Sequence, residues 1–421
     1  LLHELRRRLP PAAEASAEAA RAPAGGEVVP AVLREAAPAA AVAASSPSGD
    51  GPILPEEVLV GDSRLRFYGF VRLDAIFDDS RPSALQTPTF ILSEGPGNRD
   101  ENSFNFHPRL TRFGMSYAGP EVAGLGGASL GGKIEIDFQN GGRESRQIVR
   151  MRHGYLTLGW DDVTLLVGQT WDAFSPLYPT VNSDTLMWNA GNLGDRRPQV
   201  RVRVASERDG GTFSFTGGIG LTGAIDSQDL DGDGIRDGDD AVLPNVQLRF
   251  AWDSAKGARN PWSLGFSGHY GREEVQTPIA GRTDFDSFSL NLDVQATFNR
   301  RVFLKGELWT GENLSDFRGG IGQGINPRTG GEIESAGGWL ELGFKASEVY
   351  SVYVGQTLDD PTDADVPPGG RIENRASYLV NRFRFGRPFM IGLDYLNWKT
   401  RFKGLPSGTD NRLNLYLIYN F

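Results

Sequence analysis

The sequence predicts an all-β fold, a 16-stranded antiparallel transmembrane β-barrel with an N-terminal Ala/Pro-rich extension. Three observations predict it. A two-residue hydrophobic period recurs from Arg64 onward, short and long connectors alternate, and the closing segment LNLYLIYNF is apolar on one face from Leu413 to Phe421. A membrane barrel needs this alternation, because one face of each strand meets lipid and no strand edge can stay unpaired.

The strands follow one another along the chain with this period. We expect them near residues 64–77, 108–118, 128–138, 148–158, 162–170, 198–206, 211–220, 244–254, 261–271, 284–297, 301–310, 335–346, 349–357, 374–385, 387–400 and 411–421. The connectors are short in GWDD, ERDG, FNR, ASE and FGR, and long at 78–107, 139–147, 171–197, 221–243, 272–283, 311–334, 358–373 and 401–410. Short turns at one end and long loops at the other are typical of an outer-membrane barrel.

The N-terminal residues differ in composition from the barrel. Residues 1–9, LLHELRRRL, place three leucines on one helical face, which indicates the end of a coiled-coil helix. A frayed terminus is the alternative, because so short a segment cannot hold a helix alone. Residues 10–61 are rich in alanine and proline and are predicted to be a periplasmic linker. Residues 62–421 are predicted to form the outer-membrane barrel.

Composition narrows the class of protein. The mean hydropathy is −0.34 and no run of about 20 apolar residues occurs, but barrel strands also average out to polar. The absence of cysteine suits an oxidising compartment. A net charge of −10 argues against nucleic-acid binding. The four histidines show no metal-ligand spacing and thiol catalysis is excluded, so we expect no enzyme.

Alternating segments indicate which face of each strand meets water. In KIEIDF the apolar residues alternate with Lys133, Glu135 and Asp137, and NVQLRFAW shows the same alternation. A charged side chain on the lipid face costs about 2–4 kcal/mol at mid-depth, so the charged faces are predicted to line a water-filled lumen. Tryptophans near strand ends are predicted to form aromatic girdles: Trp252, Trp262, Trp309 and Trp398.

The connector 171–197 is a candidate constriction loop. It joins the fifth and sixth predicted strands, begins with Trp171, and carries Asp172 and Asp184 together with two prolines. In porins with sixteen strands the loop at this position folds into the barrel and narrows it, and we expect the same here. The alternative is an external flap that packs on a neighbouring protomer.

Arginines recur on the polar faces of the strands around this loop. We predict that they line the pore: Arg112, Arg150, Arg152, Arg201, Arg203, Arg382 and Arg384. Arginine binds carboxylate and phosphate bidentately, so this wall favours an anion-selective pore. The alternative is that the arginines pair with wall carboxylates and brace the barrel: Glu135, Asp137, Asp293 and Glu307.

The segment DLDGDGIRDGDD at 229–240 has the spacing of a calcium-binding loop. Carboxylates stand at positions 1, 3, 5, 9 and 12, and position 7 offers a backbone carbonyl. The predicted ligands are Asp229, Asp231, Asp233, Ile235, Asp237 and Asp240. Hard oxygen ligands favour a structural Ca²⁺ that stiffens an external loop. An acidic flexible loop without an ion is the alternative.

Two stretches resemble the DcaP-like trimeric outer-membrane porin family. They are RFYGFVRLDAIFDDSRP at the first strand, and VRMRHGYLTLGWDDVTLLVGQTWDAFSPLYPTVNSDTLMWNAG followed by DRRPQVRVRV. The resemblance implies a trimer of sixteen-stranded barrels, often with an N-terminal periplasmic helical segment, that passes small anions such as dicarboxylates. It also implies that four arginines line the pore: Arg150, Arg152, Arg201 and Arg203.

The sequence therefore predicts an outer-membrane porin that passes small hydrophilic solutes by passive diffusion, with a preference for anions such as dicarboxylates. A non-conducting structural or envelope-anchoring barrel is the alternative. The expected partners are two further copies in a homotrimer, outer-membrane lipid and lipopolysaccharide, and small anionic solutes. We expect the barrel in the bacterial outer membrane and the N-terminal segment in the periplasm, where it can contact periplasmic components or peptidoglycan.

Overall fold

The computed structural model describes residues 57–95, 101–139, 146–182 and 184–421. The predicted coiled-coil end at 1–9 and the predicted linker up to residue 56 lie outside this part of the chain. Val58–Val60, at the end of the predicted linker, forms a short strand β1 that pairs with the start of the next strand. Across the described residues, no helix has the length and apolar character needed to cross a membrane.

The wall is a single antiparallel sheet. Its strands, numbered in chain order after β1, are β2 Ser63–Asp78, β3 Ser103–His107, β4 Arg112–Val122, β5 Ala128–Asp137, β6 Arg150–Trp160, β7 Val163–Trp171, β8 Arg196–Arg208, β9 Gly211–Gly220, β10 Asn245–Ser254, β11 Trp262–Ile279, β12 Arg282–Thr297 and β13 Val302–Glu312. After a small hairpin of β14 Ile325–Asn326 and β15 Gly331–Glu332, the wall continues with β16 Glu334–Lys345, β17 Tyr350–Pro361, β18 Arg371–Phe385, β19 Phe389–Phe402 and β20 Leu405–Asn420.

The sheet closes on itself as a 16-stranded barrel, which confirms the predicted fold class. Strands β3 and β4 both pair with β2 and act as one interrupted strand. The seam lies between β2 and β20, where Phe70 is paired with Asn420. The helices of the described chain are single turns, at Ala123–Leu125, Asp237–Asp240, Ser315–Phe317 and Gly320–Gly322.

The predicted alternation of faces recurs along the wall. Ile134 is 54% exposed on the outer surface, whereas its neighbour Glu135 is 1% exposed in the interior. In the closing strand, Leu415 is 46% exposed and Tyr416 is 1% exposed. The side chain of Phe421 packs at the seam, 5.9 Å from the ring of Phe113. The outer surface is therefore apolar and the polar side chains point inward, as lipid requires.

Two of the predicted loops are wrong. The loop predicted at 272–283 is mostly strand, because β11 runs to Ile279 and a turn of Ala280 and Gly281 leads directly into β12. The loop predicted at 401–410 is likewise a turn of Lys403 and Gly404 between β19 and β20. Strand pairing continues beyond the apolar band, where the outer face can be polar and the hydrophobic signal disappears.

The prediction of a tryptophan girdle is correct for only two of the four residues. Trp252 is 39% exposed on the outer surface and stacks edge-on against Trp262, with 4.7 Å between ring centroids. Trp309 and Trp398 are 4% and 0% exposed, because they share the inward face of their strands. The polarity of the residues two positions away, such as Glu307, is the signal that assigns Trp309 to the interior.

Candidate pore and its constricting loop

The end of the β7–β8 hairpin bends into the barrel and carries loop 172–195 with it. Backbone hydrogen bonds close the neck of this loop, with the N–H of Asp172 donating to the carbonyl of Asp195 at 2.9 Å. Arg197 anchors the neck: it is fully buried, and its guanidinium pairs with Asp172 at 2.7 Å and Asp316 at 2.6 Å. The anchor therefore joins the loop to β8 and to the loop 313–333.

Carboxylates of the opposite wall hold the body of the loop. Glu307 on β13 accepts hydrogen bonds from Ser175 Oγ at 2.6 Å and from the N–H of Leu177 at 2.7 Å. Glu341 on β16 accepts one from the N–H of Thr180 at 2.7 Å. Asp394 on β19 accepts one from the N–H of Asn182 at 2.7 Å. On β2, Asp74 accepts from the Asn182 side chain at 2.8 Å. Loop 172–195 therefore crosses the interior of the barrel, and these acids are occupied by it.

The tip of the loop is pressed against the wall. Gly191 has φ of +112°, and a Cβ at this position would lie 2.4 Å from the carbonyl oxygen of Gly338 and 2.8 Å from the backbone nitrogen of Leu358. Only glycine fits this close approach. Loop 313–333 covers the tip from above, since the N–H of Asn189 donates to the carbonyl of Arg318 at 2.7 Å. The two loops pack together within the barrel.

Of the predicted constriction residues, Trp171 and Asp172 lie at the start of this loop and Asp184 lies near its middle. The ring of Trp171 stacks on Tyr178, with centroids 6.0 Å apart. Asp172 is 4% exposed and is the partner of Arg197, and Asp184 is 1% exposed and pairs with Arg412 at 3.3 Å. Both aspartates are thus buried in ion pairs, and neither presents its charge to the open lumen.

Four of the predicted arginines pair with wall carboxylates. Arg150 binds Asp137 at 2.7 Å, Arg152 binds Glu135 at 2.6 Å, and Arg112 lies 3.5 Å from Glu135. In the fourth pair, Arg382 binds Asp394 at 3.1 Å, and its guanidinium also donates to the carbonyl of Thr180 in the loop. These residues act in part as wall braces, as the alternative interpretation held.

The paired cations and carboxylates differ in their contact with water. The side chains of Arg150, Lys133 and Arg249 are 21%, 20% and 17% exposed. Their partners Glu135 and Asp137 are 0% exposed, and Asp293, the partner of Arg249, is 3% exposed. These three cations are therefore the partly exposed members of their pairs, whereas Arg197 and its partner Asp172 on the same wall are both covered.

The remaining three predicted arginines have no carboxylate partner among the described residues. Arg201 donates to the backbone carbonyl of Trp171 at 3.2 Å, and Arg203 and Arg384 make no ion pair within the described chain. The cross-strand neighbours explain this: Arg201 is flanked by Leu166 and Gly218, and Arg203 by two threonines.

Sequence reasoning missed several residues of this interior. Arg197 was absent from the predicted pore lining. Lys133 and Arg249 were predicted on lumen-facing sides of their strands but were not counted among the pore-lining cations. Glu307 was predicted to brace an arginine but instead accepts hydrogen bonds from the loop. The alternation of the sequence shows that these residues point into the barrel. It does not show which of them the loop contacts.

The acidic segment 229–240 lies in the connector between β9 and β10. Asp229, Asp231 and Asp237 each offer a carboxylate oxygen, and these atoms all lie within 4.8 Å of one another. Of the other predicted ligands, Asp233 accepts the N–H of Ile235 at 2.7 Å, and Asp240 ends the helical turn Asp237–Asp240 outside the cluster. Burial raises the pKa of Asp237 to about 6, and the charges of Asp229 and Asp231 add to this shift.

Comparison with known proteins gives structural matches alone. No family model matches the chain, and no curated protein matches it. The outer-membrane channel DcaP of Acinetobacter baumannii is similar, with a TM-score of 0.70 and 19% identity over 85% of this chain and 97% of that chain. An anion-selective porin from Comamonas acidovorans has a TM-score of 0.52 and 16% identity, and covers 85% of this chain and 100% of that one.

A third solved structure, OmpT of Vibrio cholerae in a trimer form, has a TM-score of 0.53 and 12% identity over 85% of this chain and 99% of that chain. Two of the three neighbours are named as outer-membrane proteins, and two are named as a porin or a channel. The closed wall, the inward loop and these likenesses agree, and the chain has the fold of the outer-membrane porins.

Proposed function

We propose that this chain is an outer-membrane porin in which small hydrophilic solutes diffuse past loop 172–195, with a preference for small anions such as dicarboxylates. One observation supports the preference above all. On the wall from β4 to β10, the side chains of Arg150, Lys133 and Arg249 are partly exposed, whereas the carboxylates with which they pair are covered. The acids of the opposite wall are occupied by the loop, so they contribute little charge to the passage.

Charge fixed close to a narrow passage outweighs charge elsewhere in the chain. The low-dielectric wall of a barrel focuses the field of Arg201, Arg203 and their neighbours on the water beside them. Carboxylates in external loops, which contribute to the net charge of −10, are screened beyond a Debye length of about 8 Å. An acidic chain can therefore form an anion-preferring pore.

Reversal potentials in planar bilayers test the preference. The double variant Arg201→Ser with Arg203→Ser removes two lumen cations that brace no carboxylate. We expect its reversal potential in a KCl gradient to shift toward that of K⁺, and block by succinate to weaken. The control, Arg375→Ser with Arg401→Ser, removes the same charge from the outer surface and should leave both readouts unchanged.

Including Arg150→Ser and Arg152→Ser in the variant would mix two effects, because both arginines also neutralise Glu135 and Asp137. A wild-type pore that prefers K⁺ over Cl⁻ would contradict the proposal. So would a double variant with the selectivity of the wild type.

A non-conducting structural or envelope-anchoring barrel is the second candidate. The extent to which loops 172–195 and 313–333 occupy the interior favours it, since many inward side chains, such as Asp359 and Asn374, are fully buried. Folded protein that inserts into bilayers but gives no conductance steps would support this candidate and exclude the porin.

The proposed setting is the bacterial outer membrane, with three copies side by side, lipid and lipopolysaccharide around them, and the N-terminal segment in the periplasm. The likeness to DcaP and to an outer-membrane protein solved in a trimer form supports this assembly. Ca²⁺ is the proposed structural cofactor of the connector 221–244. The convergence of Asp229, Asp231 and Asp237 on one point fits a hard cation, and ion binding would offset their mutual repulsion.

A further inference from the structure

The short turns at one end of the barrel carry opposite charges on its two halves. The turn after β4 contains no charged residue, and the turns after β6 and β8 contain only Asp161, Asp162 and Asp209, the last next to Arg208 at the end of β8. The turns after β10, β12, β16 and β18 contain five cations and one acid: Lys256, Arg259, Arg300, Arg301, Arg387 and Glu348. Glu348 is neutralised by Lys345, whose Nζ lies 2.8 Å away.

All five of these cations are exposed, and they lie at the level where a membrane barrel meets the lipid headgroups. Outward aromatic side chains mark that level on the same turns, since Trp252 and Trp262 flank the first and Phe298 and Phe385 adjoin two others. Trp160 marks the same level on the acidic half. Aromatic side chains therefore mark this level on both halves, whereas the charges of the turns differ between them.

The opposite rim of the same half repeats the pattern. On the outer face of β18 and β19, just beyond the apolar band, Arg375 and Arg401 are 58% and 49% exposed. Lys399 is paired with Arg375 across the strands, and Glu373 is the single acid among them. On β18 and β19, cations thus also mark the opposite border of the apolar band.

We propose that the five cations in the turns between β10 and β19 bind the headgroup phosphates of anionic phospholipids in the adjacent leaflet, so that this half of the barrel faces lipid. Phosphates offer the negative charge and oxygen acceptors that arginine and lysine bind. Each cation close to an anionic membrane surface adds to the attraction, whereas the aspartates of the other half are repelled. The proposal rests on the membrane location proposed above.

Native mass spectrometry of the full chain in mild detergent tests it. Phosphatidylglycerol or phosphatidylcholine is added to the protein, and the number of lipid molecules that remain bound is measured. We expect the wild type to retain phosphatidylglycerol in preference by at least about tenfold. The variant with Lys256→Gln, Arg259→Gln, Arg301→Gln and Arg387→Gln should lose most of this preference. Inorganic phosphate at millimolar concentration should not displace the lipid, because it lacks the acyl chains.

The matched control neutralises the acidic half with Asp161→Asn, Asp162→Asn and Asp209→Asn, and should retain lipid as the wild type does. Equal retention of the two lipids by the wild type would overturn the proposal, and so would an unchanged preference in the four-glutamine variant. Bilayer recordings on the same samples separate the two proposals. Conductance without a lipid preference would contradict only the proposed lipid site. A lipid preference without conductance would contradict only the proposed porin function.

Discussion

At the scale of the residue, Arg197 is the side chain on which the inner architecture depends most. It is fully buried, pairs with Asp172 and Asp316, and lies 4.1 Å from the ring centroid of Phe317. A buried cation of this kind is costly to desolvate, and its removal leaves its partners without compensation. The two aspartates belong to the two inward loops, so the same guanidinium determines where both loops begin.

We predict that Arg197→Met lowers the free energy of unfolding by about 3–5 kcal/mol, because it leaves two buried carboxylates unpaired. Urea unfolding in detergent, followed by heat-modifiable gel mobility, measures the change. The control is Arg272→Met, which removes an exposed ion pair with Asp286 and should leave the unfolding curve nearly unchanged. Equal losses in the two variants would show that burial of the Arg197 cluster has no energetic weight.

Residue patterns explain why the wall could be predicted from the sequence. The alternation of Ile134 with Glu135, or of Leu415 with Tyr416, is local and follows from which side of a strand meets lipid. The hydrogen bond from Thr180 to Glu341 joins residues far apart in the chain through a backbone N–H, which leaves no mark in the sequence. The wall was therefore predictable, and the loop contacts that divide the lumen into a basic and an occupied side were not.

Register also explains the different fates of the predicted arginines. Arg150 is paired across the sheet with Asp137, whereas Arg201 lies between Leu166 and Gly218. The alternation along each strand places both arginines inside the barrel. Only the residues of the neighbouring strand determine whether a carboxylate is within reach. Adjacent strands could have been aligned from the sequence, so this distinction was available before the structure.

At the scale of the element, the connector 221–244 combines an acidic cluster with contacts to the barrel. The N–H of Thr277 on β11 donates to Asp231 at 2.8 Å, so the cluster is tied to the extended β11–β12 hairpin. A cation held by Asp229, Asp231 and Asp237 would stiffen both. Loss of the cation should loosen the connector and leave the wall intact.

We predict that Ca²⁺ protects this connector from limited proteolysis at pH 7.5, and that Asp231→Ala with Asp233→Ala abolishes the protection. The effect should weaken below about pH 6, because the pKa of Asp237 is raised to about 6 and its protonated carboxyl is a poor ligand. Mg²⁺ at the same concentration is the control ion, since it demands a stricter octahedral geometry. Cleavage that is equally fast with and without Ca²⁺ would exclude the site.

At the scale of the whole molecule, the outer surface has two unlike halves. Opposite the basic half, the surface of β3 to β6 stays apolar almost to the rim: Phe104, Phe106, Ile148, Val149 and Met151 are all more than half exposed. Large apolar patches that reach the rim suit contact with another protein surface better than contact with polar headgroups. This half is the proposed contact surface between protomers.

We predict that deletion of residues 1–56 leaves the barrel trimeric, because that segment is rich in alanine and proline and poor in large apolar side chains. Light scattering after size exclusion in mild detergent measures the assembly. Phe104→Ser with Phe106→Ser should weaken the trimer, whereas Phe266→Ser with Leu290→Ser, on the lipid-facing half, should not. A full-length protein that is monomeric in mild detergent would contradict the predicted assembly.

The seam between β2 and β20 also has a kinetic consequence. Phe70 pairs with Asn420, so the contact that completes the cylinder joins the first and last long strands of the described chain. Such non-local pairing is slow to form, and every intermediate before it exposes two unpaired strand edges. The barrel therefore cannot close before β20 has been synthesised, and until then both strand edges are open to pairing with other chains.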